Sequence, residues 1–300
     1  MTTNLRLVSA AKVNWTLEVL GRRDDGYHQI RTVLQTLDLH DEIVLSLAPV
    51  LELKLSARVG ELADLPPERN LAFRAALALR EEAGDERLGA LIALEKVIPA
   101  AAGLGGGSSN AAAVLRGLNR LWGLGLSLSE LSVIGSKLGA DVPFFLRGGT
   151  GRAGGRGDEV TPLPDVQPQP LLVAVPPVRL PAKTAWMYGH LTPDHYSDGE
   201  HTGRLVDTLQ AGGGLSERDL FNVFEAVLAQ AMPDVVSAMR RCAEAAAGAS
   251  HLAGSGPSFF FLPADQHESE RLQRRLAGAG VELFATRTST AAESVAWEEL

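Results

Sequence analysis

Hydrophobic and polar side chains alternate through residues 6–19. Leu7, Ala11, Val13, Trp15, Leu17 and Val19 fall on one side of an extended chain, and Arg6, Lys12, Asn14, Thr16 and Glu18 on the other. A half-buried strand is therefore predicted there, with Lys12 and Asn14 projecting together from its polar face. RRDDGYH at 22–28 predicts a turn, and residues 30–39, 43–47 and 51–55 predict further strands. The period then changes to that of a helix over 70–83, ended by Gly84, and returns to a strand over 90–97.

Helices are predicted over 108–122, with Val114, Leu115, Leu118, Leu121 and Trp122 in register, and over 129–138, with Leu131, Ile134, Gly135 and Leu138 in register. Gly139 ends the second helix and Pro143 opposes its resumption. From Gly148 to Pro170 the chain turns to Gly, Arg, Asp and Pro, as expected of irregular chain or short strands near a lobe boundary. Residues 171–177 open a second αβ series, with helices predicted over 219–231, 233–247 and 265–278 and a loop and strand over 251–262. Gly212–Gly214 mark 189–216 as the main loop. Strands and helices are interspersed without a strict βαβ repeat, which predicts an α+β fold.

The 300 residues allow one large domain or two ordinary ones, and a hydrophobic content of 45% suits a full core. A net charge of −8 argues against nucleic acid or an acidic membrane as the main partner. Cys242 stands alone, so no internal disulfide or cysteine-based metal cluster is available, and its Ala-rich helical setting predicts a small core residue. MTTNLRLVSA has no basic segment followed by an apolar core, and no apolar run is long enough to span a bilayer. A cytoplasmic protein is expected.

The chemistry concentrates in PAAAGLGGGSSNAAAVL, residues 99–115, where a glycine-dense loop runs straight into a helix. Gly103, Gly105, Gly106 and Gly107 leave no side chain between backbone N–H groups and a ligand. Ser108 or Ser109 would cap the helix, whose N-terminus attracts anions without a basic side chain. A flexible hinge is the alternative, although a hinge does not need its glycines against a helix start. The loop is not a P-loop, because Gly107 stands where that motif needs Lys. Nor does its glycine spacing match a Rossmann fingerprint.

Three segments in order, AKVNWTL at 11–17, PAAAGLGGGSSNAA at 99–112 and LAGSGPSFF at 252–260, resemble the GHMP kinases, small-molecule kinases without a P-loop. Residues 11–30, which pair K-x-N-x-x-L with D-G-Y-H, resemble the branch acting on an alcohol that carries cytidine diphosphate, in non-mevalonate isoprenoid precursor synthesis. The resemblance covers nearly the whole chain. It implies two lobes: residues 1–160 as an ATP-binding lobe like domain 2 of ribosomal protein S5, and residues 161–300 as a ferredoxin-like lobe. The active site would lie between them.

On the same resemblance, Pro99, Ala100, Ala101, Ala102, Gly103, Leu104, Gly105, Gly106, Gly107, Ser108 and Ser109 hold the ATP phosphates. Asn70 and Lys96 fall on the adenine side, against the plainer readings of a helix cap for Asn70 and an exposed strand-end charge for Lys96. Asp141 becomes the base that takes the hydroxyl proton, with Lys12 keeping it ionised and touching the transferred phosphoryl group. The plainer reading of that pair is a structural salt bridge. Asn14, Tyr27 and His28 match the acceptor pocket, His28 at the cytosine edge and Tyr27 stacked on the base. Tyr188 matches a second aromatic on the opposite face, with Trp186 as the core member of that pair.

The late loop 253–258 would close over phosphates and acceptor, although Pro257 and Ser258 depart from the family pattern. Mg²⁺ is expected to be held by phosphates, with no protein ligand assigned. A monomer or weak homodimer is expected. Two other readings stand beside this one. A homoserine- or mevalonate-type GHMP kinase would keep the glycine loop and lack D-G-Y-H. A non-catalytic nucleotide-binding protein on the same scaffold would have no need of both Lys12 and Asp141.

Overall fold

Two long strands dominate the first half of the chain in the computed structural model, which describes residues 4–57, 66–178 and 182–300. Residues 1–3 of the N-terminal stretch considered above lie outside them. Strand β1 (Leu5–Arg22) and strand β2 (His28–Leu47) form an antiparallel pair through the turn at 23–27. Separate strands at 30–39 and 43–47 were expected. The polar stretch between them stays in the ladder because Ser9 pairs with Asp41 and Ala10 with His40, so β2 is continuous.

The alternation along β1 is interrupted by register shifts between Ala10 and Lys12, Asn14 and Thr16, and Val19 and Gly21. A bulge reverses which face later residues occupy. Leu7 therefore packs beneath the helices of the first lobe, whereas Ala11, Val13 and Trp15 pack toward the second sheet. The single apolar face expected over 6–19 is thus split. After the first shift Lys12 and Asn14 open into a cleft.

Strand β3 (Leu51–Ala57) runs parallel to β4 (Ala90–Lys96), with helix α1 (Leu71–Ala83) as the crossover, and β4 pairs with β2. Helices α2 (Gly106–Leu121), α3 (Leu128–Leu138) and α4 (Val142–Phe145) follow. Helix α3 ends at Gly139 as expected, and Pro143 sits in the first turn of the separate helix α4, where a proline has no helical N–H to lose. Strands β5 (Thr150–Gly154) and β6 (Glu159–Pro162) extend the sheet beside β2.

The chain enters a second sheet at β7 (Pro170–Val175), followed by α5 (Lys183–Gly189) and α6 (Glu200–Gln210). Helix α6 occupies much of the expected loop 189–216. It forms because Thr202, Leu205 and Leu209 make a buried stripe, and because the buried Glu18 carboxylate accepts from Thr202 N–H at its start. The helix expected over 219–231 is instead broken into strand β8 (Phe221–Asn222), a short 3₁₀ turn and helix α7 (Leu228–Ala231). Pairing with β1 holds Asn222 extended, and its side chain caps Phe224 N–H.

Helix α8 (Pro233–Ala246), strands β9 (His251–Leu252) and β10 (Phe259–Phe261), helix α9 (Gln266–Leu276) and strand β11 (Glu282–Arg287) complete the second unit. Its antiparallel order β11-β7-β10-β9, with α8 and α9 as connections, is the βαββαβ arrangement of a ferredoxin-like layer. Cys242 is buried against this sheet, as expected. Helix α10 (Ala291–Ser294) and strand β12 (Trp297–Glu299) return the chain to β1, so the first sheet takes β8 and β12 from the second half. Trp15 packs edge-on against Phe260, joining the two sheets through one core. Among the described residues no helix is long and apolar enough to cross a membrane.

Candidate active site

Helix α2 begins at Gly106, two residues before its expected start. Gly105 is its N-cap, at φ +73° and without a side-chain cap. Asn70, Ser127 and Asp265 cap α1, α3 and α9 with side-chain oxygens. The start of α2 keeps its donors and opens into a cleft of about 1360 Å³. Ser108 lines the cleft; Ser109 turns inward, where its hydroxyl accepts from Ser9 at 2.9 Å. The glycines are sterically required. A Cβ on Gly105 would lie 2.7 Å from the Phe145 ring, and one on Gly103 would lie 2.4 Å from the Ala253 carbonyl oxygen.

Lys12 stands beside this helix start, its main-chain N–H bonded to Leu104 O at 2.9 Å. Its ammonium donates to Asn14 Oδ1 at 2.9 Å and lies 3.9 Å from Asp141 Oδ2. Asn14 in turn donates to Thr32 Oγ1 at 2.8 Å. Lys12 is only 5% exposed, and burial holds its ammonium below the ordinary lysine range, opposed by the charge of Asp141. Asp141 follows α3 at the start of α4 and keeps an open face toward the cleft.

Lys96 is not the exposed strand-end charge of the plainer reading. Its ammonium is buried against the Asp41 carboxylate and donates to Asn110 Oδ1 at 3.2 Å. Asp41 also accepts from Val97 N–H, Ile98 N–H and Asn110 Nδ2. This cluster fixes the entry to the glycine loop and sets a cation below Gly106, whose Cβ would meet Lys96 Nζ at 3.1 Å. Asn70 both caps α1 and lines the cleft.

At the other end of the cleft Tyr27 is 57% exposed, with the Arg156 guanidinium 5.1 Å from its ring centroid. His28 stacks on Tyr188 at 4.8 Å, and Tyr188 meets Phe224 edge-on. One face of Tyr188 is therefore taken by His28, where a base had been expected. Burial, and then Arg22, push the His28 imidazole below its usual range, favouring the neutral ring with one donor and one acceptor. Trp186 is not the core member of the pair: it is exposed, and its indole N–H donates to Ala231 O at 3.1 Å.

The late loop meets the glycine loop through backbone. Ser258 N–H donates to Ala102 O at 3.2 Å, while its hydroxyl is buried and unpaired. Asn222 holds the loop through the carbonyls of Leu252 and Gly254. Two of these residues were not legible beforehand. Asn222 lay inside an expected helix, and Lys183 at the start of α5 had no role assigned to it, although it opens the KTAWMY segment that carries Tyr188. Lys183 donates to Ala101 O at 3.2 Å and to Gly256 O, bridging both loops. Burial, and then Lys12, lower its ammonium to about 8.

Residues 70–149 match the family described as GHMP kinases N terminal domain, and residues 204–282 match GHMP kinases C terminal. A protein of Symbiobacterium thermophilum named 4-diphosphocytidyl-2-C-methyl-D-erythritol kinase is 42% identical over 282 residues, 93% of this chain and 97% of the relative. A crystal structure of 4-(cytidine 5'-diphospho)-2C-methyl-D-erythritol kinase superposes with a TM-score of 0.76 at 32% identity, covering 95% of this chain and 99% of the other. A homoserine kinase from Cytophaga hutchinsonii reaches a TM-score of 0.70 at 18% identity, covering 99% of this chain and 97% of the other, a likeness of fold alone.

Proposed function

The chain belongs to the GHMP kinases, and from that membership we propose that it phosphorylates the 2-hydroxyl of 4-diphosphocytidyl-2-C-methyl-D-erythritol at the expense of ATP. It is an ATP-dependent small-molecule kinase of the two-lobed α+β GHMP fold. The observation that carries the reading is the uncapped start of α2 beside the Lys12–Asp141 pair, with the D-G-Y-H segment at the far end of the same cleft. A cytoplasmic setting and a monomer or weak homodimer belong to the same reading, as does the lobe division near residue 160.

The glycine cradle suits a polyphosphate, because the start of α2 has no side-chain cap where it meets the cleft, and a Cβ at Gly103 or Gly105 would collide with the packing that shapes the loop. Bound ATP supplies the phosphoryl group, and Mg²⁺ spreads the charge of its phosphates. Residues 99–107 and Ser108 hold those phosphates; Ser109 contributes by fixing the helix start from behind. Asn70 borders the adenine side, and Lys96, paired with Asp41 beneath Gly106, fixes the loop that leads to it. Asp141 accepts the proton of the acceptor hydroxyl as its oxygen approaches phosphorus. Lys12 balances that carboxylate and the oxygens gaining charge, and Asn14 fixes the direction of its ammonium.

Tyr27 offers its open face to the cytosine and His28 its polar edge. Because Tyr188 backs His28, it positions the imidazole as well as walling the pocket. His28→Ala is expected to narrow the kcat/KM gap between cytidine and uridine acceptors by about 1–3 kcal/mol, the cost of a buried polar group left unpaired. Tyr188→Ala should weaken both acceptors by about 1–3 kcal/mol and erode part of that gap, whereas Tyr188→Phe preserves it. A gap unchanged in His28→Ala would remove His28 from the cytosine edge.

ADP release measured with 4-diphosphocytidyl-2-C-methyl-D-erythritol, homoserine and mevalonate tests the function. The cytidine-linked alcohol should be turned over far better than the other two. Preference for homoserine or mevalonate would replace the assignment, and binding of ATP without turnover of any acceptor would favour a non-catalytic nucleotide-binding role.

A further inference from the structure

Lys183 occupies an unusual place for a lysine. The residue is 9% exposed, and its side chain reaches into the cleft between the two glycine-containing loops. Both of its hydrogen bonds go to main-chain carbonyls, Ala101 O in the first loop and Gly256 O in the late loop. Among the described residues no carboxylate pairs with it, and the charge that acts on it is the second cation, Lys12. Lys12 Nζ flanks the same late loop, 3.0 Å from where a Cβ on Gly254 would stand.

Two ammonium groups border one loop, and the carboxylate of Asp141 lies 3.9 Å from Lys12 and, among the described residues, pairs with no other cation there, which leaves the cleft short of negative charge. Carbonyl dipoles offset only part of the cost of burying a cation. The backbone is also held in an uncommon state on both sides of the contact. Ala101 has φ +56° and Ala182 has φ +48°, in the left-handed region that side chains disfavour. Such positions persist where the surroundings impose them, and they cluster at ligand clamps.

We propose that Lys183 is a second phosphate-contacting cation of this site, placing its ammonium on an oxygen of a polyphosphate lying between the Gly103 loop and the Gly254–Gly256 loop. The proposal rests on the kinase reading above and adds a group that its motifs do not contain. Lys183 acts beside Lys12 on the charge shared among transferring and bridging oxygens. By holding Ala101 and Gly256 together before the ligand arrives, it also keeps the two loops at the separation the anion needs. The groups facing it are Lys12 from β1 and the two loop carbonyls; Asp141 stands beyond Lys12, and Tyr188 follows on α5. An ammonium lowered to about 8 takes up a proton when an anion binds above that pH.

The test compares wild type, Lys183→Met and Lys183→Arg by calorimetry with ADP, CDP and inorganic tripolyphosphate, in buffers of differing ionisation enthalpy near pH 9. Lys183→Met should bind tripolyphosphate about 10- to 100-fold more weakly, the loss expected for one hydrogen bond to a charged group. Lys183→Arg should stay close to wild type in affinity and lose the part of the proton uptake that belongs to Lys183. Weakening confined to ADP assigns the donor phosphates, and weakening confined to CDP assigns the acceptor diphosphate. Unchanged affinity for all three probes in Lys183→Met overturns the proposal, as does proton uptake equal in wild type and Lys183→Arg. These titrations need no turnover, so they judge Lys183 even if the acceptor is a different alcohol. If Lys183→Met does not fold, the comparison of wild type with Lys183→Arg still decides.

Discussion

Asp141→Asn is expected to lower kcat by about two to four orders of magnitude while leaving ATP affinity nearly unchanged, the range for losing a positioned proton acceptor. The amide keeps the shape of the side chain and loses both the basic oxygen and the charge facing Lys12. Lys12→Ala should cost about as much, since it removes the cation nearest the reacting oxygens and frees Asn14 Oδ1. The double variant should be little worse than either single one, because each group depends on the other. Steady-state kinetics with circular dichroism as a folding control measure this. A near-normal kcat in folded Asp141→Asn would leave the 3.9 Å contact as a structural salt bridge.

Asp41→Ala should be the most destabilising single change near the site, at about 3–5 kcal/mol. The fully buried carboxylate has four partners, and its loss strands the Lys96 ammonium and the N–H groups of Val97 and Ile98. A cost of that size approaches the whole stability of many domains. Asp41→Asn keeps an acceptor for part of the cluster and should cost less. Urea unfolding midpoints of the three proteins check the order. An Asp41→Ala variant within about 1 kcal/mol of wild type would show that the buried pair contributes little, as well-packed apolar replacements sometimes do.

The glycine loop and the Lys12–Asn14 pair were accessible from the sequence because each rests on local spacing, whereas the ferredoxin-like half followed only from the resemblance to the GHMP kinases. Asp41 was not, since DLHDE reads locally as a break between two strands and becomes a hub only when β1 pairs across it and β4 ends beside it. The bulge after Ala10 was hidden for a similar reason. Period-2 alternation continues through the letters while the backbone changes face. Helix α6 was concealed by flanking glycines and by an N-terminal partner, Glu18, that lies far away in the sequence. Lys183 reaches two loops that only the fold brings together, so no window of neighbouring residues could have disclosed it.

The most direct measurement is the position of the new phosphate on the product formed from 4-diphosphocytidyl-2-C-methyl-D-erythritol and ATP, read from phosphorus–carbon couplings by nuclear magnetic resonance. Coupling to C2 of the methylerythritol unit, one ADP per product, and formation of that product about two to four orders of magnitude more slowly by Asp141→Asn are the results expected. Phosphate on another hydroxyl, or ADP released without a phosphorylated cytidine product, would contradict the account.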